Sequence, residues 1–540
     1  MHAGGMFPEP SPGVNFSGLP APPMSAGRRA AHRATGVALA VLVASLPLGV
    51  AWWVNGGALD GAPLLDDAYI YVAAARTLRE TGRLAVSPHH ETLAGLTSPL
   101  YAVLLAAGGT ALAPGRLARA TSLASSVAAT LALLALLRAM GASRPAALLA
   151  TLVLAGSGTL AMHALSGMET TLAVAVLLAC CLAWMRAGPG WLSGGLAALL
   201  AALRPDGAML AAALVVATLL QLAWQPPFSW RAESARLGRF LTPLALVALA
   251  QTGLFALYLG RPMANSITAR MLLYCWETRS VGERLGIAVR DLWTLVGEAP
   301  ITLPLALLAL IPESGGEGVR QQRRRRVVTA LALVVAGYVG VFVLRGVPPD
   351  YQFWRYAMPL YAALVVLTGI GLSRAIRGVA QGSRWTRLAT VAMLLGLVLA
   401  SVRGQGERLT MARDWVRTFR WINRGYQETL HHVGRLAAAG ERIGVSDIGQ
   451  ALCVLHQPVV DLAGLTNPEI ERYLVDAATG RCLAPERRDL SEIPARLGLH
   501  YVVLGAPWWD GFLGTILPRG ARPLEGSAAP ARLFRVRGPG

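Results

Sequence analysis

Between Thr35 and Val54 the chain carries no charged side chain, and apolar runs of this kind, built on Ala, Leu and Val, recur along most of its length. A bilayer core accommodates an apolar helix of about 20 residues. Soluble proteins carry roughly 25% charged residues; this chain has 54% hydrophobic and only 15% charged residues. The runs therefore read as membrane spans, which makes the chain a polytopic α-helical membrane protein. The first run reads as a retained span, because a Pro/Gly-rich tail, residues 1–34, precedes it and no small-residue cleavage pattern follows. The tail has the composition of a disordered segment.

The formal net charge of +19 does not point to nucleic acid. Every basic residue other than His is an arginine, and the arginines sit in short clusters between apolar runs, where they hold loops in the cytoplasm. Arg28, Arg29 and Arg33 precede the first run. Arg231, Arg236 and Arg239 form a second cluster, Arg320 with Arg323–Arg326 a third, and Arg374, Arg377, Arg384 and Arg387 a fourth. Two apolar runs, 241–259 and 298–311, separate the second cluster from the third. Two more, 327–344 and 357–372, separate the third from the fourth. All clusters then share one side, and residues 55–98, 260–297, 345–356 and everything after about 403 lie on the other. Between 99 and 223 the alternation requires that one of the three apolar stretches before Glu169 not cross, and 99–113, with 15 residues, is the shortest. The expectation is about eleven spans in a multi-pass plasma (inner) membrane protein with a cytoplasmic N-terminus.

Residues 403–540 change character. Helical periodicity over 407–436 gives way to short β-rich runs at 442–446, 458–462, 500–504 and 532–536, which predicts a small extracytoplasmic α/β domain. The five cysteines show no metal-ligand spacing. Cys180 and Cys181 lie in an apolar run and read as packing residues, whereas Cys453 and Cys482 could pair in an oxidising compartment.

Charged side chains near the span ends on the non-cytoplasmic side are the candidates for chemistry. Asp66 and Asp67 open an amphipathic helix directly after the first span; adjacent carboxylates there suit a general base or a cation ligand, and helix capping accounts for one of them. His89, His90 and Glu91 are consecutive and do not converge on one ion, so they read as a solvated loop. Ser98–Pro99 reads as an N-cap followed by Pro at the first helical position. Glu169 stands at the mouth of a span, where a charge is costly; Ser166 to Glu169 also fits a capping box. Arg204 and Asp206 break an apolar run and can pair at a helix end. Arg270, and Asp350, Arg355 and Tyr356 near the next span, place arginines on the non-cytoplasmic side, against the usual bias. Guanidinium groups there suit a bidentate anion such as phosphate, with snorkelling to headgroups as the bland alternative.

The order of these segments resembles a family. DDAYI after the first span, then SGMET, LRPDG, NSITAR and WRYAMPL, and a tail with SDIGQ and DLAGLTNPEI, resemble the GT-C membrane glycosyltransferases, and within them the mycobacterial terminal arabinofuranosyltransferase group. The likeness runs over residues 35–475. It implies an inverting transfer of sugar from a polyprenyl-phosphate donor to an envelope glycan or lipid acceptor on the non-cytoplasmic face, with an acidic residue of the first external loop as base. Carried onto this chain, Asp66 or Asp67 is the base, Glu169 the second acidic residue, and Arg270, Arg355 and Arg204 hold the leaving phosphate. The likeness implies no obligatory cofactor and no dedicated metal, while leaving a divalent cation open. Asp447 and Asp461 read as strand-end turn residues. A transporter or flippase fits less well, since no internal repeat is visible and the acids lie at span ends rather than mid-span. A non-catalytic envelope-assembly protein is the other alternative. A phosphoethanolamine transferase, with its Thr nucleophile and zinc site, has no counterpart here.

Overall fold

The computed structural model describes residues 26–88, 93–109, 112–224, 230–275, 279–312, 318–345, 351–476, 478–479, 481–483, 488–506, 516–517 and 522–536. His89, His90, Glu91 and Asp350 lie outside them. Residues 43–540 form one compact unit, and residues 1–42 belong to another.

Helix α1 (Ala26–Val54) leads to a loop and the short α2 (Asp66–Thr81), which ends at Gly82. Helix α3 (Pro99–Gly108) has ten residues, about 15 Å at 1.5 Å per residue, too short to cross; Ser98 caps it by accepting from the Tyr101 N–H at 3.3 Å. Then follow α4 (Pro114–Ala139), α5 (Arg144–Ala155), α6 (Gly158–Leu165), α7 (Thr170–Ala187), α8 (Trp191–Leu203), α9 (Ala208–Trp224) and α10 (Trp230–Leu259). The segment after α10 contributes α11 (Asn265–Tyr274) and α12 (Val281–Val296). Helices α13 (Thr302–Leu310), α14 (Val319–Arg345) and α15 (Met358–Gln381) return through the bundle, and α16 (Arg384–Leu436) closes it.

Among the described residues seven helices are long and apolar enough to cross a membrane, eight when α5 and α6, bent by 52°, count as one. All eleven expected runs are helical. Four depart from a single straight span: α1, whose apolar part is 38–54, the α5–α6 pair, α8 with 13 residues and α13 with 9. Outward-facing Leu249, Leu257 and Leu399 are largely exposed, which is costly in water and natural against acyl chains. The second to fourth arginine clusters gather at one end of the bundle. There Arg320 donates to the Ala139 carbonyl at the end of α4, Arg323 to the Arg186 carbonyl at the end of α7, and Arg374 to the Leu308 carbonyl at the end of α13. Arg326 pairs with the buried Glu233. These are C-terminal helix ends, whose unsatisfied carbonyls favour cations.

Helix α16 has 53 residues, about 80 Å, and runs unbroken through residue 403 into the α/β segment. That segment holds β1 (Arg442–Val445), α17 (Ile448–Val454), β2 (Val459–Asp461), α18 (Ile493–Arg496), β3 (Leu499–Leu504) and β4 (Arg532–Arg535). The strand order is β2-β1-β3-β4, with β1 parallel to both neighbours and β4 antiparallel to β3. Each β-rich run of the tail forms its strand. Asp461 ends β2 as a turn residue, accepting from the Ala463 and Thr466 N–H groups at 2.9 and 2.7 Å. The cysteines depart from expectation: Cys482 is bonded to Cys275, at the end of α11, and Cys453 is free. Cys453 lies in α17, its Sγ against the Tyr69 carbonyl at 3.6 Å, so α17's packing on α2 directs it away from Cys482.

Candidate active site

Two aspartates in the first turn of α2 are favoured by the helix dipole, yet neither caps it: Leu65 is the N-cap and makes no side-chain bond. Consecutive helical residues point about 100° apart, and the pair diverges accordingly. Asp66 turns to the α/β segment, where its carboxylate accepts from the Gly449 and Gln450 backbone N–H groups at 3.0 Å each. Position 449 must be glycine for this, since a Cβ there would lie 1.9 Å from the Asp66 carbonyl oxygen. Burial and the nearby Asp447 carboxylate push the Asp66 pKa well up, while the two N–H bonds pull it down.

Asp67 turns into the bundle. Its Oδ2 accepts from Arg270 at 2.5 Å, Arg355 at 2.7 Å and Gln352 at 3.2 Å. Burial raises its pKa, but the two guanidinium charges outweigh this and hold the carboxyl below its ordinary range. Arg355 is shared: its second nitrogen donates to Glu169 Oε1 at 2.9 Å. Glu169 also lies 3.7 Å from Arg204, which forks onto Asp206 at 3.0 and 2.9 Å. Tyr338 donates to the same Asp206 at 2.8 Å. The Ser166 capping box does not form; Glu169 directly precedes α7, but its side chain makes no capping bond and its Oε1 faces arginines instead. Gly167 permits that turn, with φ 72° and a Cβ position only 2.6 Å from Leu64.

Five of the six sequence candidates thus meet: Asp67, Glu169, Arg204, Arg270 and Arg355, from five separated stretches of chain. Asp66 does not join them. The ring of Tyr356 lies at their centre, with the guanidinium carbons of Arg204, Arg355 and Arg270 at 5.2, 5.5 and 5.8 Å from its centroid, within reach of the ring quadrupole. Gln352 and Tyr338 carry no charge and no motif, and the sequence does not single them out. Three consecutive residues, Gln352, Phe353 and Trp354, have φ of 47°, 59° and 59°, each a cost of roughly 1–2 kcal/mol for a side-chain-bearing residue. This left-handed turn delivers both Gln352 and Arg355 to Asp67. It is held by His163 on the Phe353 carbonyl at 2.9 Å, the Trp354 indole on the Asp291 carbonyl at 3.1 Å, and Arg408 stacked 3.9 Å over Trp354.

Beside the cluster lies a cavity of about 520 Å³. One wall is polar, with Glu169, Arg204, Arg270, Arg355 and Tyr356. The other, from Met209, Met263, Ile267, Val341 and Phe342, is apolar. Glu169 Oε2, Arg204 Nη1 and Arg355 Nε are buried there without a hydrogen-bond partner, which is costly unless a ligand supplies one. The polar wall suits an anion and the apolar wall a hydrocarbon chain. Among the described residues no group of three or more His, Cys, Asp or Glu could hold a metal.

No family model and no curated protein sequence matches the chain. Solved structures do. The chain is similar to ArnT from Cupriavidus metallidurans in the apo state, with a TM-score of 0.52 and 14% identity over 93% of this chain and 98% of that one. The same protein bound to undecaprenyl phosphate gives 0.53 and 16%, over 92% and 97%. The archaeal oligosaccharyltransferase AglB from Archaeoglobus fulgidus, in complex with an inhibitory peptide and a dolichol-phosphate, gives 0.51 and 14%, over 89% and 70%. At such identities the likeness is one of fold: the chain shares the polytopic membrane fold of these structures.

Proposed function

We propose that the protein is a GT-C membrane glycosyltransferase that transfers a sugar from a polyprenyl-phosphate donor to a hydroxyl of an envelope glycan or lipid, on the non-cytoplasmic side, with inversion at the anomeric carbon. The observation that carries this reading is the Asp67 carboxyl held by Arg270 and Arg355, two arginines that also line a cavity with an apolar wall. The donor phosphate sits at Arg270, Arg355 and Arg204, and its prenyl chain lies along Met209, Ile267 and Phe342. The acceptor oxygen attacks the anomeric carbon as the bond from that carbon to the phosphate oxygen breaks. The acceptor proton passes to Asp67, and polyprenyl phosphate leaves with its new charge on the guanidinium groups.

Before the donor arrives the arginines neutralise the base. Their transfer to the phosphate releases Asp67, so its basicity rises when it is needed. Glu169 orients Arg355 and Arg204. Arginine clusters, which favour the cytoplasm, and a disulfide, which favours an oxidising compartment, both support a site on the non-cytoplasmic side.

The test is transfer from a panel of polyprenyl-phosphate sugars, arabinofuranose among them, by purified protein in nanodiscs. Transfer of one sugar is expected; a well-folded protein that neither transfers any nor binds undecaprenyl phosphate sinks the reading. Because three guanidinium groups already meet the leaving charge, EDTA is expected to leave the rate unchanged, and a rate restored only by Mg²⁺ or Mn²⁺ would contradict that.

The pH profile provides another check. A base acts when ionised, and kcat/KM reports the free enzyme. With Asp67 depressed by Arg270 and Arg355, the acid limb should lie below the ordinary Asp value of about 3.9. Arg270→Gln removes one of the charges that lower it, so the limb moves to higher pH. A limb that stays put in the variant rules out this electrostatic assignment.

A further inference from the structure

Helix α11 carries Arg270, and in sequence it belongs between two membrane helices. Its packing belongs elsewhere. Ala269 and Leu273, on one side of α11, share an apolar core with Leu462, Leu465, Ile470 and Leu490 of the α/β segment. Asn265 at its start donates to the Gly464 carbonyl at 2.9 Å, and Arg488 donates to the Leu272 and Leu273 carbonyls at its end, at 2.8 and 3.0 Å. Arg261, just before it, pairs with Glu471 at 2.9 Å. The last residue of this set is Cys275, bonded to Cys482 across 207 residues of sequence. Cys275 ends α11 at φ 48°, a left-handed position where glycine is the default because a side chain is disfavoured. A cysteine at that position keeps the sulfur despite the backbone preference. The other side of α11 presents Ile267, Arg270 and Met271 to the cavity.

We propose that the α/β segment, fastened to α11 by the Cys275–Cys482 disulfide, is the positioning element for Arg270, and that Cys275 and Cys482 thereby set the affinity of the site for the donor's lipid phosphate. The proposal rests on the assignment of Arg270 to that phosphate. The α/β segment grips the site from two sides: α17 holds Asp66, the neighbour of Asp67, while β2, the loop after it and the disulfide hold α11. Misplacing a positioned group by about 1 Å can cost up to a hundredfold, and among the described residues α11 has no other covalent cross-link between the end of α10 and the start of α12.

The experiment uses the full chain in nanodiscs and undecaprenyl phosphate as the probe. Its dissociation constant is measured for wild type, Cys275→Ser, Cys482→Ser, Arg270→Gln and the Arg270→Gln/Cys482→Ser pair, with Cys453→Ser as control. Amide exchange is followed over 265–274 and 66–81. The cysteine variants are expected to bind about tenfold more weakly, with Cys453→Ser unchanged. In the Arg270→Gln background the Cys482→Ser change should have no further effect, which loss of general stability would not reproduce. Wild-type affinity in the cysteine variants, or the same loss with and without Arg270, overturns the proposal. Should a cysteine variant fail to fold, reduction of the folded wild type replaces it. Should wild type bind no undecaprenyl phosphate, the functional reading fails separately and exchange decides the rest. Faster exchange confined to 265–274 upholds the fastening of α11, and unchanged exchange overturns it.

Discussion

Asp67→Asn is expected to lower kcat/KM for sugar transfer by roughly 10²–10⁴-fold, the usual contribution of a positioned general base, while Asp66→Asn keeps most of the activity. The asymmetry follows from where the two carboxylates go. Asp67 is held by the arginines that line the cavity, and Asn at 67 can still accept a hydrogen bond but cannot take a proton from an acceptor hydroxyl. Asp66 serves the interface: its two oxygens satisfy the Gly449 and Gln450 N–H groups. In Asp66→Asn one of those donors faces an amide NH₂ instead, a cost of about 1–3 kcal/mol for a buried unsatisfied group. That variant should therefore melt at a lower temperature and transfer sugar at nearly the wild-type rate below its melting point. Initial rates and thermal melts on the same preparations separate the two effects. Equal, mild losses of rate in both variants would remove Asp67 as the base.

The sequence made the membrane architecture plain because lipid imposes a simple rule: apolar runs long enough to span, with arginines collecting on one side. The strands of the α/β segment were equally legible, since β1 and β3 lie inside a sheet and read as apolar runs. The site was half legible. Charges at span ends are expensive enough to announce themselves, which is why Asp67, Glu169, Arg204, Arg270 and Arg355 stand out. Which of two adjacent aspartates meets the arginines depends on the exact rotation of α2, which the pattern within α2 does not fix to one residue. Gln352 was invisible because its position depends on a left-handed turn of bulky residues, which local propensity argues against. The partner of Cys482 was out of reach for another reason. Cys275 lies in what reads as a loop of the membrane region, and only tertiary packing makes α11 part of the α/β segment.

Removing Arg355 should be the most destabilising single change in the site. Its side chain is buried and divided between Asp67 at 2.7 Å and Glu169 at 2.9 Å. Around it the charges balance: Arg204, Arg270 and Arg355 face Asp67, Glu169 and Asp206. Breaking a buried pair by deleting one partner typically costs about 3–5 kcal/mol, because the other charge stays behind in a low dielectric. In Arg355→Gln, Glu169 keeps only Arg204 at 3.7 Å, and the net site charge becomes negative, which also repels a phosphate. The variant is expected to lose that much stability and to bind undecaprenyl phosphate poorly. Glu169→Gln in the same chain removes the stranded charge. The double variant should regain most of the stability, giving a coupling energy well above the roughly 0.3–0.5 kcal/mol error of additive sites. Transfer should stay lost, because charge balance can be restored by neutralising Glu169 but the guanidinium that meets the leaving phosphate cannot. A double variant that recovers both stability and transfer would make Arg355 a structural counter-ion and leave the phosphate to Arg270 and Arg204. If instead neither is recovered, the pair is not the coupled unit that the geometry describes.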